Sequence, residues 1–342
     1  MPEALGRSVY LSEFHGIPAN AAGIPVFLSL HRQEEMDAQW KTKIMDLCHQ
    51  LNEHGCRILA DISKKTFAAM EVSDARELKE KLQLWAVRPD YGFTVEEIRE
   101  MAEYMPVVLN ASTVTDEELQ KLSGCKELMA MHNFYPRPET ALDAEYLKER
   151  TKTLQEHGLK VIAFIPGTGE KRGPLYEGLP TLEDHRYISP YAAYLDLVIR
   201  YGIDMVYVGD PDLDEAEERR IARYIEEGII ELPCDMRKGY EYLYGQAFTN
   251  RIDSPKTMIR AAESREYSVS NGSEVKPENT VKRSKGSITM DNEKYLRYQG
   301  EIMIAVQDFE ADERVNVIGN VKEEYLLVTK LIERGAKFAF TE

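Results

Sequence analysis

Cysteine is scarce in this sequence, and the cysteines present form no disulfide-rich pattern. They are scattered along the chain at Cys48, Cys56, Cys125 and Cys234. Such spacing is typical of reduced thiols in a cytoplasm rather than of a secreted disulfide scaffold. The chain also lacks an apolar run near the roughly 18 residues of a membrane span, and its first residues contain no apolar signal core. We therefore expect a soluble protein of the cytoplasm.

Basic residues are also fewer than acidic residues. The 43 lysines and arginines are outnumbered by 59 aspartates and glutamates, which gives a formal net charge of −16. This balance argues against nucleic acid or an anionic membrane as the main partner, although a local basic pocket can still bind phosphate. Hydrophobic residues make up 43% of the chain, which is enough for a substantial core.

Short apolar runs recur along the first two thirds of the chain, with helical patterns between most of them. The runs are SVYLSE (8–13), IPVFLSL (24–30), CRILADI (56–62), LQLWAV (82–87), PVVLNA (106–111), ELMAM (127–131), LKVIAFI (159–165) and IDMVYVG (203–209). This alternation predicts an α/β fold, a closed TIM-like (β/α)8 barrel. An open, doubly wound sheet is the alternative, but no glycine-rich dinucleotide fingerprint follows the first run.

The connection between the first two runs is unusually short. Only about ten residues separate Glu13 from Ile24, and they include Gly16, Pro18 and Gly23. A regular barrel helix does not fit there, because one needs about ten residues for itself alone. We predict an irregular loop or a single turn at this crossover.

The pattern changes after about residue 240. Residues 268–292 are polar and rich in turn formers, and the segments YLRYQGEIMIAVQDF, VNVIGNV and KFAFTE that follow are typical of strands. We predict a barrel domain over residues 1–238 and a small β-rich domain over residues 239–342.

Polar side chains follow nearly every predicted barrel strand. In this fold the active site lies at the carboxyl ends of the strands. The residues at those ends are Glu13, His31, Arg32, Asp61, Arg88, Asp90, Asn110, His132, Asn133 and Asp210, with Tyr135, Arg137 and Glu139 just beyond the sixth strand. Caps and turns explain some of the Asp and Asn residues, but not Arg, His and Glu at so many ends. Such a ring suits sugar hydroxyls and the two carboxyl groups that cleave a glycosidic bond.

A second polar stretch, GTGEKRGPLYEGLPTLEDHR (167–186), follows the seventh predicted strand. Its glycines allow close approach of the backbone to a ligand, while Lys171 and Arg172 supply cationic donors. In an acidic protein, a cationic loop at a strand end indicates a phosphate or carboxylate on the substrate. A flexible surface loop with two solvated charges is the alternative.

Several plainer interpretations remain open for the same residues. His132 is alternatively a hydrogen-bonded core histidine, and Asp61 and Asn110 alternatively tie loops together. A divalent metal held by His31, Asp61, His132 and Asp210 is conceivable, but no metal or cofactor is predicted. Acyl transfer is disfavoured because no Cys or Ser stands beside a His in a nucleophile motif.

The polar segments together resemble one known family, the MupG-type 6-phospho-N-acetylmuramidases. The resemblance is carried, in order, by SVYLSE, LSLHR, ADIS, RPDYGF, LNAST, HNFYPRPET, FIPGTGEKRGPLYEGLPTLEDHR and VGDP, and then by TNRID, GSITMDN, YQGE and VNVIGNV. It implies a TIM-like barrel followed by a cyclophilin-like β domain. It also implies a cytoplasmic glycosidase of bacterial cell-wall recycling, whose substrate is N-acetylmuramic acid 6-phosphate linked β-1,4 to N-acetylglucosamine.

The resemblance also implies which residues form the site. It carries over best onto His132, Asn133, Tyr135, Arg137, Glu139, Arg172, Asp90 and Asp210. We predict Asp90 and Asp210 as the first pair of catalytic carboxylates, with Glu13 and Asp61 in reserve. Substrate binding is assigned to Arg88, Asn110, His132, Asn133, Tyr135, Arg137, Glu139, Lys171 and Arg172.

Within that set, two assignments concern the charged groups of the substrate. Arg172, with Lys171, is the predicted partner of the 6-phosphate, and Arg137 is a candidate for the lactyl carboxylate. Two other classes of function remain: a metal-dependent aldolase or isomerase on the same barrel, and a non-catalytic sugar-phosphate sensor.

Overall fold

The computed structural model describes residues 4–13, 23–30, 39–266 and 274–342. The chain divides into two compact units, Met1–Glu218 and Arg219–Glu342. Each unit is described by itself.

The first unit is a closed barrel of parallel strands. Its strands are β1 (Gly6–Val9), β2 (Pro25–Ser29), β3 (Arg57–Ile62), β4 (Ala86–Pro89), β5 (Val107–Asn110), β6 (Leu128–Met131), β7 (Lys160–Ile165) and β8 (Met205–Val208). Each strand pairs in parallel with the next, and β1 also pairs with β8. The predicted TIM-like barrel is therefore confirmed.

Helices follow most of these strands, as the alternating pattern predicts. They are α1 (Trp40–Glu53), α2 (Lys64–Met70), α3 (Ala75–Leu82), α4 (Val95–Met101), α5 (Asp116–Lys121), α6 (Ala144–Glu156), α7 (Pro190–Ile199) and α8 (Glu215–Glu227). Capping boxes begin α4 and α5, where Thr94 and Thr115 exchange hydrogen bonds with the glutamates three residues later. The sequence itself therefore fixes where these short helices start.

The barrel interior is filled by alternate residues of the strands. Phe27, Leu59, Ala86, Val108, Met129, Met131, Ile162, Phe164, Met205 and Tyr207 form one buried cluster. Because side chains in a strand point to opposite faces in turn, the residues two positions further along also face the barrel axis. On β2, β3, β4 and β5 and just after β6, these are Ser29, Asp61, Arg88, Asn110 and Asn133. This alternation carries the polar ring to one end of the barrel.

Two strand ends differ from the sequence prediction. The first strand ends at Val9, and Leu11–Glu13 forms a 3-10 turn. Glu13 therefore does not stand at a strand end, since only the first two residues of SVYLSE, Ser8 and Val9, belong to the strand. The fourth strand extends to Pro89, so Arg88 lies inside it and Asp90 follows it. The predicted loop over residues 14–22 and the predicted site residue His31 lie outside the described residues.

The second unit is built on a mixed β-sheet. Its strands are β9 (Ile229–Met236), β10 (Ala247–Thr249), β11 (Met258–Arg260), β12 (Ser287–Asp291), β13 (Ile302–Ala305), β14 (Val315–Val321) and β15 (Lys337–Thr341), with a short helix α9 (Glu263–Glu266). The sheet order is β10-β15-β9-β14-β12-β13-β11, with β9 and β15 parallel and the other neighbours antiparallel. The rings of Phe248, Phe338 and Phe340 pack together on it.

The strand β9 belongs to this sheet, whereas the predicted domain boundary after residue 238 counts it with the barrel. The apolar run IIELPC follows a helix and a glycine, as barrel strands do, so its pattern alone does not separate it from them. Hydrogen bonds to β14 and β15 assign it to the second unit.

Among the described residues, none of the helices has the length and apolar character needed to cross a membrane.

Candidate active site

A cavity of about 360 Å³ opens at the carboxyl ends of the barrel strands. It is lined by Phe27, Ser29, Asp61, Arg88, Asp90, Asn110, Met131, Asn133, Phe134, Tyr135, Pro136, Phe164 and Arg172. A larger cavity of about 620 Å³ lies at the opposite end, where Arg57, Trp85 and Lys160 mark the amino ends of strands. We assign the active site to the smaller cavity, because barrel enzymes act at the carboxyl ends and six residues of the predicted polar ring line it.

Arg88 is the central cation of this cavity. It is buried, and its Nη1 lies 3.0 Å from Asp61 Oδ1, while its Nη2 donates to Asn133 Oδ1 at 2.5 Å. One guanidinium thereby joins β3, β4 and the chain just after β6. Arg88 Nε has no hydrogen-bond partner among the described residues. A buried donor without a partner is costly, so this nitrogen favours an added acceptor.

Asp90 is the second carboxylate of the cavity. Its Oδ1 lies 4.0 Å from Arg88 Nη1, and its side chain is 25% exposed, whereas that of Asp61 is only 4% exposed. Because one nitrogen lies 3.0 Å from Asp61 and 4.0 Å from Asp90, the two contacting oxygens are at most about 7 Å apart, an upper limit that admits the separation of about 5–5.5 Å used by retaining glycosidases. The site thus holds one buried, ion-paired carboxylate and one that reaches solvent.

Arg172 supplies a second cation to the cavity wall. It is buried, and its guanidinium carbon lies 3.5 Å from the ring centre of Tyr10 and 5.7 Å from that of Phe134. Cation–π contacts of this kind orient a guanidinium plane. Burial raises the pKa of Tyr10 to about 12, and its hydroxyl donates to the Gly209 carbonyl at 2.7 Å. Tyr10 is therefore a neutral, fixed support for Arg172.

Asp210 does not line the cavity. Its carboxylate is buried and accepts three backbone N–H groups, from Gly167 at 2.8 Å, Leu179 at 3.0 Å and Arg172 at 3.1 Å. Residue 210 lies beyond the end of β8 at Val208, so strand alternation does not apply to it, and its position is set by these backbone contacts. Its contacts support a role in holding residues 166–179, called here the 166–179 loop. Asp61, from the reserve set, takes its place beside Asp90 in the cavity.

The glycines of the 166–179 loop serve backbone packing. A Cβ at Gly167 would lie 2.2 Å from the Asp212 carbonyl oxygen and 2.8 Å from the Asp210 Cβ. No other residue fits such an approach. The sequence predicts close approach of a ligand at these glycines, whereas at Gly167 a neighbouring chain segment makes the close approach.

The segment from His132 to Ala141, called here the 132–141 segment, contributes four consecutive residues to the site and turns its first residue away from it. Asn133 and Tyr135 line the cavity, together with Phe134 and Pro136. His132 is fully buried on the other side, 3.1 Å from the Thr151 hydroxyl of α6. Burial, with a smaller contribution from Arg150, lowers the pKa of His132 to about 4. These contacts favour the alternative interpretation of His132 as a core histidine.

The remaining predicted residues lie at or beyond the rim. Asn110 lines the cavity and accepts the Ser112 N–H at 3.0 Å. Arg137 and Glu139 are exposed, and Lys171 is half-buried; none of the three lines the cavity. Glu13 ends a 3-10 turn and its side chain lies outside the described structure. The structure therefore brings together Asp61, Arg88, Asp90, Asn110, Asn133, Tyr135 and Arg172.

Sequence reasoning missed several residues around this cavity. Ser29, Phe27 and Phe164 were read only as strand residues, yet counting alternate positions along each strand would have directed them inward. No sequence pattern indicates a role for Tyr10 in the site, because that role depends on the packing of Arg172 against its ring. Arg186 and Glu183, which hold the surrounding loops, have the i,i+3 spacing of an ion pair.

The structure does not favour the metal interpretation in the parts it describes. No cluster of three His, Cys, Asp or Glu side chains suited to a metal occurs among the described residues. His132 and Asp210 do not line the cavity that Asp61 lines, and His31 lies outside those residues.

Comparisons with solved structures find whole-length relatives. One, described as a conserved protein from a locus in Enterococcus faecalis with an unknown function, is 32% identical, with 99% of this chain and 97% of that chain covered and a TM-score of 0.85. Another, described as an uncharacterized B. cereus protein, is 21% identical over 100% of both chains with a TM-score of 0.81. The second likeness shows the fold alone. Among curated proteins, none matches this chain.

Family models give the functional assignment. The model for the N-terminal part of 6-phospho-N-acetylmuramidases (MupG_N) matches residues 6–223, and the model for the C-terminal part (MupG_C) matches residues 230–341. The resemblance noted in the sequence is confirmed, and the family name denotes an enzyme that acts on a glycosidic bond. The chain is a glycosidase and belongs to the 6-phospho-N-acetylmuramidase family.

Proposed function

We propose that this enzyme hydrolyses the β-1,4 bond between N-acetylmuramic acid 6-phosphate and N-acetylglucosamine, as a cytoplasmic step in the recycling of bacterial peptidoglycan. The observation that carries the proposal is the joint presence of two carboxylates and two arginines in one barrel-end cavity. A phosphorylated acidic sugar needs cationic partners, and glycosidic cleavage needs two carboxyl groups or one assisted by the substrate.

The two carboxylates suit different roles. Asp90 reaches solvent and can exchange protons with water, so we assign it protonation of the glycosidic oxygen. Asp61 is held by Arg88 at 3.0 Å and is assigned the stabilisation of the oxocarbenium-like transition state, as nucleophile or base. If the substrate's acetamido group attacks the anomeric carbon instead, Asp61 orients that group. Asp90 and Asp61 thereby replace the pair Asp90 and Asp210.

The phosphate is assigned to Arg172. A buried guanidinium stacked on Tyr10 presents a fixed plane, and a planar fork matches two phosphate oxygens. Lys171 precedes it on the same loop and adds positive charge. Arg137, exposed at the rim, is the proposed partner of the lactyl carboxylate.

Asn110, Asn133 and Tyr135 remain as neutral partners for sugar hydroxyls. All three line the cavity, and amide and phenol groups both donate and accept hydrogen bonds. Glu139 and His132 have no assigned contact with substrate in this proposal, because neither lines the cavity. The cyclophilin-like character of the second unit and its role remain predictions.

The experiment that tests the function is a mass-spectrometric assay of the purified enzyme with the phosphorylated muramyl disaccharide and, in parallel, the unphosphorylated one. Cleavage of the phosphorylated disaccharide alone is expected. Binding of that disaccharide without cleavage would contradict the proposal and favour a sensor. Cleavage of both at equal rates would remove the phosphate assignment.

A further inference from the structure

An ion pair between a buried arginine, Arg186, and a half-buried glutamate, Glu183, contacts two chain segments that contribute residues to the cavity. Arg186 is 1% exposed, and its side chain is joined to Glu183 by hydrogen bonds of 2.6 Å from Nε and 2.7 Å from Nη2. Neither residue lines the cavity. A fully buried arginine away from the substrate calls for an explanation, since burying this charge is costly unless every donor is used.

Every donor of Arg186 is in fact used. Besides its two bonds to Glu183, its Nη1 donates to the carbonyls of Tyr135 at 3.0 Å and Gly178 at 3.1 Å, and its Nη2 donates to the carbonyl of Arg137 at 3.2 Å. A guanidinium has five N–H donors in a fixed plane. One side chain therefore connects the 132–141 segment with the 166–179 loop.

Glu183 completes the connection from its other side. Its Oε1 accepts the Glu139 N–H at 3.0 Å and its Oε2 accepts the Ala141 N–H at 2.9 Å. The hydrogen bonds from Arg186 and from these two backbone groups lower the pKa of Glu183 to about 2. The pair is thus ionised throughout the physiological pH range, and it holds the 132–141 segment at four backbone positions.

The backbone at Glu139 is in a conformation that needs such support. Its φ of 67° is in the left-handed region, which a residue with a Cβ adopts at some energetic cost. The N–H that this conformation presents is the one that Glu183 accepts. A strained residue held by a buried ion pair is typical of a segment whose path is fixed for function.

We propose that Arg186 and Glu183 are positioning residues that set the distance between Tyr135 and Arg172 across the cavity. Tyr135 is held directly through its carbonyl, and the Arg172 loop is held through Gly178 and through Asp210. The kinetic part of this inference rests on the proposed function. Arginine is required because an ammonium is a point donor that cannot reach three carbonyls and a carboxylate in one plane.

Two conservative variants test this role. Arg186→Lys keeps the charge near Glu183 but loses most of the carbonyl contacts, and Glu183→Gln keeps the shape but removes the charge and one acceptor. In each we expect kcat for the phosphorylated disaccharide to fall about 10- to 100-fold, because small displacements of binding groups have effects of this size. The effect on KM should be smaller. Thr140→Ala, which removes only the neighbouring bond to the Arg137 carbonyl, is the matched control and should stay within about twofold of wild type.

A chemical rescue separates positioning from folding. In Arg186→Ala, added guanidinium at millimolar concentration is expected to restore part of kcat, with no comparable gain when ammonium is added instead. If Arg186→Ala does not fold, the Lys and Gln variants decide alone. Loss of activity that follows only the unfolded fraction measured by circular dichroism would overturn the proposal, and so would wild-type kcat and KM in both folded variants.

Hydrogen exchange of backbone amides tests the positioning role without any substrate. Amides of Glu139 and Ala141 should exchange at least tenfold faster in Glu183→Gln than in Thr140→Ala, while amides of β5 and β7 stay unchanged. Unchanged exchange at these amides would overturn the inference even if wild-type enzyme cleaves the disaccharide. Faster exchange together with an inactive wild type would count against the proposed function alone.

Discussion

At the scale of single residues, the direction in which a side chain leaves its strand decides its chemistry. Asn133 faces the cavity and bonds Arg88, whereas the preceding residue, His132, packs against Thr151 on the outside of the barrel. Asp61 and Asp210 contrast in the same way. Residue type alone places all four in an active site. Counting alternate positions separates Asn133 from His132, whereas Asp210 lies beyond the end of β8 and is distinguished only by its backbone contacts.

Replacement of each cavity carboxylate should reveal its role. Asp90→Asn and Asp61→Asn are each expected to lower kcat on the disaccharide by about 10²- to 10⁴-fold, the range typical of lost acid–base or nucleophilic help. With an aryl glycoside of N-acetylmuramic acid 6-phosphate, whose leaving group needs no proton, Asp90→Asn should recover most of its activity. Asp61→Asn should not recover.

The contrast between the two substrates is the control for this assignment. A loss by Asp90→Asn that is equal on both substrates would contradict its role as the acid. Recovery of Asp61→Asn on the aryl glycoside would exchange the two roles.

Arg172→Ala should separate phosphate binding from binding of the rest of the sugar. We expect KM for the phosphorylated disaccharide to rise about 100-fold or more, because a charge-assisted bidentate contact is lost, while KM for the unphosphorylated one changes little. Arg137→Ala is the matched comparison, since loss of a lactyl contact should raise both KM values alike. Equal changes with both substrates in Arg172→Ala would remove the phosphate assignment.

At the scale of elements, the 166–179 loop is held by the carboxylate of Asp210, which does not line the cavity. Asp210→Asn leaves one acceptor oxygen for three backbone N–H groups and turns an NH₂ toward one of them. We expect the free energy of unfolding to fall by about 1–3 kcal/mol, the cost of unpaired buried donors. Urea denaturation measures it.

A neighbouring aspartate provides the control for Asp210. Asp212 is exposed and contributes its backbone carbonyl, not its carboxylate, to the Thr168 N–H, so Asp212→Asn should leave stability unchanged. Equal losses in the two variants would mean that charge, rather than the three backbone contacts, explains the effect.

Much of the element order could be predicted from the sequence, but some of its ends could not. Apolar runs that alternate with helical patterns predicted the barrel, because burial inside it requires those runs. The first strand was predicted to end too late, because Tyr10 and Leu11 extend the apolar run past Val9, whereas the backbone forms a 3-10 turn from Leu11. The cavity depends on contacts between distant segments, such as Arg172 on Tyr10, and no local pattern reports these.

At the scale of the whole molecule, the two units should respond to pH in opposite directions. In the barrel, the pKa of His132 is lowered to about 4 from its usual 6.5. Between these values the unfolded chain binds a proton that the folded unit refuses, so the stability of the barrel is lost as pH falls from 6.5 toward 4. The size of this contribution is on the order of 3 kcal/mol.

In the second unit the buried group is an acid. Asp291 is 3% exposed, and burial, followed by repulsion from Glu301 and Asp312, raises its pKa to about 7. Between 3.8 and 7 the folded unit keeps a proton that the unfolded chain releases, so stability is lost as pH rises through this window. The stability of the two units should therefore diverge between pH 5 and pH 7.

The reactivity of two buried thiols reports the stability of each unit separately within one chain. Cys48 lies in the barrel unit and Cys234 in the second, and both are inaccessible in the folded state. The protein is incubated in a series of urea concentrations at pH 5 and at pH 7, and each sample receives a pulse of a pyridyl disulfide that reacts at low pH. Mass spectrometry of the labelled cysteines then gives an unfolding midpoint for each of the two thiols.

The Cys48 midpoint should rise from pH 5 to pH 7 and the Cys234 midpoint should fall. His132→Phe should flatten only the first trend and Asp291→Asn only the second. If either variant leaves its own trend intact, the group named here is not its cause.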